Sequence, residues 1–340
     1  FYTTGLPATR GFRNPMIFGL ANQFPSYSVI RADGSPILIT WTGVMGGHEF
    51  WVKDVRTTFR RGETQDLLHS AVASTFATGA RIGVESSMPL SIASKIKQEV
   101  KDAELIISDE IMDTMRMTKS EDEIAMLSRS LDIAEKTVEI VERDMTWDTT
   151  VFKLITNASR TVYDLGATGI DHMTIAIGHS NPEIPMDLPA KAGEIVVLDV
   201  GAILEGYVSD NRRLAYFGKV EDDLRKLNAT MAEIVVQTGM SASPGMSFAD
   251  LCVTAERLHK ERGLPPMFLS AGHTIGIQTE EMWISKGSTL KFAEGVLFNI
   301  ELYSMLKPGT YVGTEDTFVV TSNGVRQLSH LPHEIREIES

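Results

Sequence analysis

A single cysteine, Cys252, in 340 residues excludes an internal disulfide, and its apolar neighbours mark it as a small buried hydrophobe rather than a nucleophile. No oxidising compartment is implied. Basic residues are also scarce: 32 Lys and Arg stand against 45 Asp and Glu, a net charge of −13. Without a basic face to neutralise phosphates, neither nucleic acid nor an anionic membrane is an expected partner. No apolar run approaches the roughly 18 residues of a membrane span, and no basic-then-apolar leader precedes the first strand. These absences describe an acidic, cytoplasmic protein. The chain opens at Phe1 rather than at a methionine, so its natural N-terminus, with any targeting segment, is expected to lie upstream.

With 43% hydrophobic residues the chain can bury a large core, and its length suits two domains better than one. "SYSVIRADGSPILIT" (26–40) reads as a hairpin around Asp33-Gly34. A helix at 65–77, a strand at 81–85, a helix near 89–99 and a strand at 103–108 follow, an alternation that predicts a small α/β domain. The character changes at "KSEDEIAMLSRSLDIAEKTVEIVERD". Ser120 and Glu123 form a capping-box pattern, and Ile124, Leu127, Leu131, Ala134, Val138 and Val141 recur on one helical face. The boundary is therefore placed at residue 118, with domains 1–118 and 119–340. The second is expected to be α+β, with helices at 148–164, 220–239 and 247–262 packed on antiparallel strands at 172–178, 194–200, 206–210, 295–303 and 311–321. Neither internal repeats nor low-complexity segments are present.

Carboxylates interrupt those apolar strands. In "LDVGAILEGYVSDNRR", Asp199 and Asp210 are symmetric about a turn at Leu204-Glu205 and are expected to oppose each other directly. Glu301 and Glu315 are likewise symmetric about Pro308. Like charges facing one another destabilise a sheet, and four acids on a core face need compensation that no run of lysine or arginine supplies. A pair of divalent ions would supply it. Oxygen-rich sites with one imidazole suit Mn, Fe, Co or Zn, and His273, in the small-residue loop "SAGHTIG", is the candidate imidazole. The alternative reading is an exposed strand face for the acids and a core or loop role for His273. His48, His179, His330 and His333 read as loop or tail residues.

These motifs resemble those of the pita-bread metallohydrolases, the family of Xaa-Pro dipeptidase, aminopeptidase P, methionine aminopeptidase and creatinase. "DVGAILEGYVSDNRR", "GHTIG", Glu301 and "EDTFVVT" stand in the family's order over about residues 118–325, and "FYTTG" with the α/β domain is similar to the smaller domain of the creatinase and prolidase branch. The resemblance implies a pita-bread C-terminal domain behind a creatinase N-terminal-type domain truncated at its start. It also implies two metal ions held by Asp199, Asp210, His273, Glu301 and Glu315, with Asp210 and Glu315 bridging. Amide-type C–N bond hydrolysis follows, with Glu301 relaying the proton, and so does a homodimer.

The departures are informative. Met186 stands where the family has a histidine after "GxN…P", and Glu280 where it has a second histidine seven residues beyond the metal-binding one. In the peptidases those histidines orient substrate and stabilise the tetrahedral intermediate. Arg212 replaces a small hydroxyl residue, and Gly313 an arginine. Met186, Glu280, Glu281 and Trp283 are then expected to line a pocket for a short peptide or a small, cationic, non-peptide amide. Two other functions compete: a lyase resembling those that cleave dimethylsulfoniopropionate, with Glu280 as the base, and a binding protein that has lost its chemistry.

Overall fold

A computed structural model describes residues 26–40, 51–58, 60, 62–180, 187–265, 270–307 and 310–339. Met186, His48, the "FYTTG" segment and Pro308 lie outside them. The chain divides into two compact units, residues 1–116 and 117–340.

In the first unit β1 (Tyr27–Ile30) and β2 (Pro36–Thr40) form the antiparallel hairpin, with β3 (Asp54–Thr57) parallel to β2. Asp33 and Gly34 make the turn: Gly34 donates to the Arg31 carbonyl and the Asp33 carboxylate accepts from Ser35. Then α1 (Glu63–Thr75), β4 (Arg81–Val84), α2 (Leu90–Glu99) and β5 (Glu104–Ile107) alternate, β4 and β5 pairing in parallel. Their shared core includes Ile37, Ile39, Leu68, Val72, Ile82 and Ile96. This is the α/β organisation that the alternation predicts. A helix absent from the sequence-based expectation, α3 (Asp109–Met117), follows. None of its residues is buried, and its apolar positions Ile111, Met112 and Met115, though helically spaced, fall within only nine residues.

The second unit begins with α4 (Glu121–Arg143), capped as its sequence predicts: the Ser120 hydroxyl accepts from the Glu123 amide and the Glu123 carboxylate accepts from the Ser120 amide. All six residues of its predicted stripe are buried, the five Ile, Leu and Val side chains contributing about 1.5–3 kcal/mol each where fully buried. After α5 (Val151–Asp164) come β6 (Gly169–Ile177), β7 (Ile195–Leu204), β8 (Tyr207–Val208) and β9 (Asn211–Phe217). Next are α6 (Asp222–Met240), α7 (Phe248–Glu261), β10 (Gly272–Thr274), β11 (Trp283–Ile284), β12 (Leu297–Lys307), β13 (Thr310–Thr321), β14 (Gly324–Gln327) and β15 (Arg336–Ile338).

Two sheets result. One runs β15-β9-β7-β6 with β8 on β7, and the other β11-β10-β12-β13-β14. Helices α4 and α5 cover the first, α6 and α7 the second. The pairing is antiparallel except for β15, which lies parallel to β9. The sheets meet along β9 and β13, stitched by Arg213. Its buried guanidinium donates to the Glu315 carbonyl at 2.7 Å, the Asp316 carboxylate at 2.8 Å and the Leu331 carbonyl at 2.6 Å. No helix among the described residues is long and apolar enough to cross a membrane.

Candidate metal centre

The two hairpins that carry the acids differ in register. Glu301 lies directly opposite Glu315, as symmetry about position 308 requires. In the other, Glu205 and Gly206 occupy the turn, both with positive φ, as a tight two-residue hairpin turn demands. That moves the centre one residue on, so Asp199 faces Arg212 and not Asp210. The predicted direct opposition is corrected to a diagonal one. A shift of two positions preserves the face, and Asp199 and Asp210 still look the same way.

Arg212 supplies part of the compensation for which the sequence offers no run of lysine or arginine. Its Nη1 is 3.6 Å from Asp199 Oδ2 and 3.9 Å from Glu301 Oε1. The guanidinium lies over the Tyr303 ring, 4.4 Å from its centroid, and donates to the Tyr303 hydroxyl at 2.7 Å. Gly313, opposite Tyr303, leaves room for that ring: a Cβ there would stand 2.4 Å from Tyr303 Cδ1. A search for runs of basic residues passes over one arginine placed by cross-strand pairing.

His273 on β10 turns Nε2 toward Asp210 Oδ2 at 3.6 Å and Glu315 Oε1 at 3.5 Å, while Nδ1 faces the Thr274 carbonyl at 3.3 Å. Gly272 permits this approach, because a Cβ there would lie 2.0 Å from the Asn299 carbonyl oxygen on β12. Asn299 donates to Glu315 Oε1 at 2.6 Å and to the Asp210 carbonyl at 3.3 Å. Sequence reading missed His172. Its Nε2 lies 3.0 Å from Asp199 Oδ1 and 3.1 Å from Asp210 Oδ1. The only available signal was an Asp-His pair opening a strand.

Two donor triplets therefore share Asp210: His172 with Asp199, and His273 with Glu315. Glu301 stands outside both triplets, across the strand pair from Glu315. Burial and then the charge of Glu315 push Asp210 well above the ordinary carboxylate range, against the pull of His172. Glu301 is pushed well up by burial and by Glu315, Asp199 and Asp210. For Asp199 burial acts upward too, but hydrogen bonding and charge from His172, then Arg212, hold it below its usual value. Both imidazoles rise despite burial, His172 through Asp210, Asp171 and Asp199, and His273 through Glu315 and Glu301.

These residues fit a divalent cation. Glu315 Oε2 is buried without a hydrogen-bond partner among the described residues, and the burial and mutual repulsion that raise Asp210 and Glu301 are what a cation would offset. The raised carboxylates lend the metal-free fold stability that is lost as pH rises above the ordinary value near 4. The raised histidines add stability lost as pH rises above about 6.5. Asp199, with the opposite sign, matters only in stronger acid. Chelator-stripped protein is therefore expected to lose thermal stability between pH 5 and 8, and a saturating divalent metal to raise the melting temperature more at pH 8 than at pH 5. Glu142, pushed by burial to about 7, adds a slope common to both samples. Equal slopes with and without metal would contradict the reading.

The predicted pocket residues are scattered in role. Trp283 pairs across strands with His273, sets its ring edgewise at 5.7 Å and is 42% exposed. Glu280 is exposed, with φ of 54°. Glu281, assigned to the pocket wall from sequence, instead buries its carboxylate against the equally buried Lys119 at 2.9 Å and accepts from the Ile277 amide. Glu281→Gln would strand the ammonium and is expected to cost about 3–5 kcal/mol, read by thermal melting. A stable variant with an altered KM would return Glu281 to the substrate.

Residues 109–322 match metallopeptidase family M24, and residues 1–118 match the creatinase/prolidase N-terminal domain. The chain is 26% identical over 270 residues to the Xaa-Pro dipeptidase of Pyrococcus furiosus, covering 75% of each. It is 27% identical over 273 residues to that of Pyrococcus horikoshii, covering 75% of this chain and 74% of the relative. The X-Pro aminopeptidase of Thermotoga maritima superposes with a TM-score of 0.80 at 23% identity, over 92% of this chain and 88% of that one. The prolidase of P. furiosus does so at 0.79 and 22%, over 91% and 90%.

Proposed function

The chain belongs to metallopeptidase family M24, and from that premise we propose that it hydrolyses an amide-type C–N bond of an Xaa-Pro dipeptide or a related small amide, using two divalent ions. The observation that carries this is the convergence of Asp199, Asp210, His273 and Glu315 from both sheets, with Glu315 Oε2 buried and unpartnered. Asp199, Asp210, His273, Glu301 and Glu315 would hold the ions. When bound, these polarise the substrate carbonyl and acidify water. The Glu301 carboxylate takes the proton of the attacking water and passes it to the leaving nitrogen as the C–N bond breaks, giving a carboxylic acid and an amine.

Met186 and Glu280 stand where the resemblance expects imidazoles, so substrate orientation falls to other groups. Trp283 walls the His273 side, and Glu280 offers an exposed charge. Arg212 brings a guanidinium to the Asp199 side. The exposed Glu280 carboxylate also favours a second reading, a metal-dependent lyase with Glu280 as base. The homodimer rests on the resemblance, and the cytoplasmic setting on charge and the lone cysteine.

A panel assayed with Mn, Fe, Co and Zn separates these readings. Hydrolysis predicts proline release from Xaa-Pro dipeptides or an amine from small amides, lost in Glu301→Gln. Cleavage of sulfonium or betaine compounds, abolished by Glu280→Gln, would replace hydrolysis with the lyase. No turnover and no metal uptake would sink both.

A further inference from the structure

We propose that His172 is itself a metal ligand, completing the ion position of Asp199 and Asp210, so that each of the two positions carries one imidazole. This rests on the metal-dependent reading above, and it adds a nitrogen donor to a ligand set in which sequence and resemblance supply only one.

The first argument is where the donors stand. His172 Nε2, Asp199 Oδ1 and Asp210 Oδ1 are mutual neighbours, with the nitrogen 3.0 and 3.1 Å from the two oxygens. Donors bonded to one small ion at about 2.1 Å and set at roughly right angles are about 3 Å apart. Arg212 faces the other oxygen of Asp199, Oδ2. With one carboxylate oxygen engaged in that way, an imidazole makes up the donor count.

The second argument is how the ring is held. On its far side Nδ1 lies 3.0 Å from Asp171 Oδ2, and the Thr279 hydroxyl donates to the same carboxylate oxygen. A carboxylate on Nδ1 fixes an N–H there, so the other nitrogen, Nε2, is the one turned to Asp199 and Asp210. Two carboxylates facing that nitrogen call for positive charge at this point, a proton in the metal-free fold and the ion when it is bound. Carboxylate, imidazole and metal in sequence is the arrangement by which proteins orient ligating histidines and raise their basicity.

The third argument is that the backbone is built to put it there. His172 pairs with Gly201, and the β6–β7 register slips between Ile170 and His172. A β-bulge of this kind re-aims side chains, here bringing adjacent Asp171 and His172 together on one side of the site. Gly201 then accepts the ring: a Cβ at that position would sit 2.4 Å from both Nδ1 and Cε1 of His172. The ring thus lies over the gap the glycine leaves, with Nε2 reaching Asp210 Oδ1 at 3.1 Å.

Nitrogen at both positions should favour Zn or Co over Mn relative to a single-imidazole site. The test is a calorimetric Zn2+ titration of the chelator-stripped full chain, with metal content measured after gel filtration. Wild type is expected to take up two equivalents. His172→Ala should lose one, or bind it at least tenfold more weakly, and narrow the Zn-over-Mn preference, whereas His273→Ala should lose the other. Asp171→Asn, which deletes no ligand, should weaken the same ion as His172→Ala by about 10–100-fold and keeps the test decisive if His172→Ala does not fold. Two equivalents at unchanged affinity in both His172→Ala and Asp171→Asn would overturn the assignment and leave the metal-dependent reading intact. So would a wild type that holds one ion indifferent to His172, because the imidazole would then be standing in for the other ion as a cation. A wild type that binds no metal removes the proposal and the metal-dependent reading together.

Discussion

Asp210→Asn is expected to abolish metal-dependent activity while making the metal-free protein more heat-stable. Asp210 is the one residue common to both donor triplets, so its loss weakens both ion positions at once. Stabilisation by metal ions amounts to several kcal/mol in the transition state, and each 1.36 kcal/mol is tenfold in rate. A fall of roughly 10³-fold or more follows, in kcat and kcat/KM together. The stability effect runs the other way. In the metal-free state burial and the charge of Glu315 push the Asp210 carboxyl well above the ordinary range, so the fold disfavours its ionised form at pH 8, and asparagine keeps its size with no charge to disfavour. Differential scanning calorimetry on chelator-stripped samples should give the variant the higher melting temperature at pH 8, by roughly 2–4 °C per kcal/mol recovered. Added metal should then reverse the order, stabilising wild type alone. A variant that melts below stripped wild type would mean that Asp210 holds the fold together through its own contacts.

The cost that drives this reversal is also what makes the acids legible in the sequence. Carboxylates on apolar strands break the pattern that makes a strand visible, so Asp199, Asp210, Glu301 and Glu315 announce themselves. His172 does not, because histidine at the start of a strand violates no rule. Its role depends on a bulge between Ile170 and His172 and on the ring-sized gap over Gly201, neither of which has a composition signal. The two-residue slip that sets Asp199 against Arg212 has a related origin: hairpin centres are fixed by the φ angles of Glu205 and Gly206, and symmetry of residue numbers locates them only to within a position. Long, strongly periodic elements such as α4 are readable throughout, while α3, nine residues with none buried, and β15, whose three residues pair in parallel with β9, are too short to stand out. Glu281 illustrates the limit from the other side. As a charge next to Glu280 it looks like pocket wall, and only the distant Lys119 reveals it as half of a buried ion pair.

Arg213→Met is expected to be the most damaging single change to the fold, and to weaken metal binding without touching a ligand. Neighbouring arginines on β9 face opposite ways: Arg212 toward the acids, Arg213 through to β13. Asp316, fully buried, is paired with Arg213 at 2.8 Å and bonded to Gln327 and His333. Removing the guanidinium leaves that carboxylate short of charge and takes donors from the carbonyls of Glu315, Leu331 and Pro332. Breaking a buried pair in this way costs about 3–5 kcal/mol, or a melting temperature lower by roughly 10 °C. Because one of those carbonyls belongs to Glu315, the variant should also bind Zn2+ more weakly by calorimetry. Arg213→Met combined with Asp316→Asn removes the stranded charge and should regain part of the stability but little of the affinity, since the Glu315 carbonyl still lacks its donor. Arg212→Met, one residue away, should leave the melting temperature of the metal-loaded protein within a few degrees of wild type and change KM or kcat instead. If Arg213→Met melted like wild type, the seam between the sheets would have to be held by apolar packing alone, and the position of Glu315 would need another explanation.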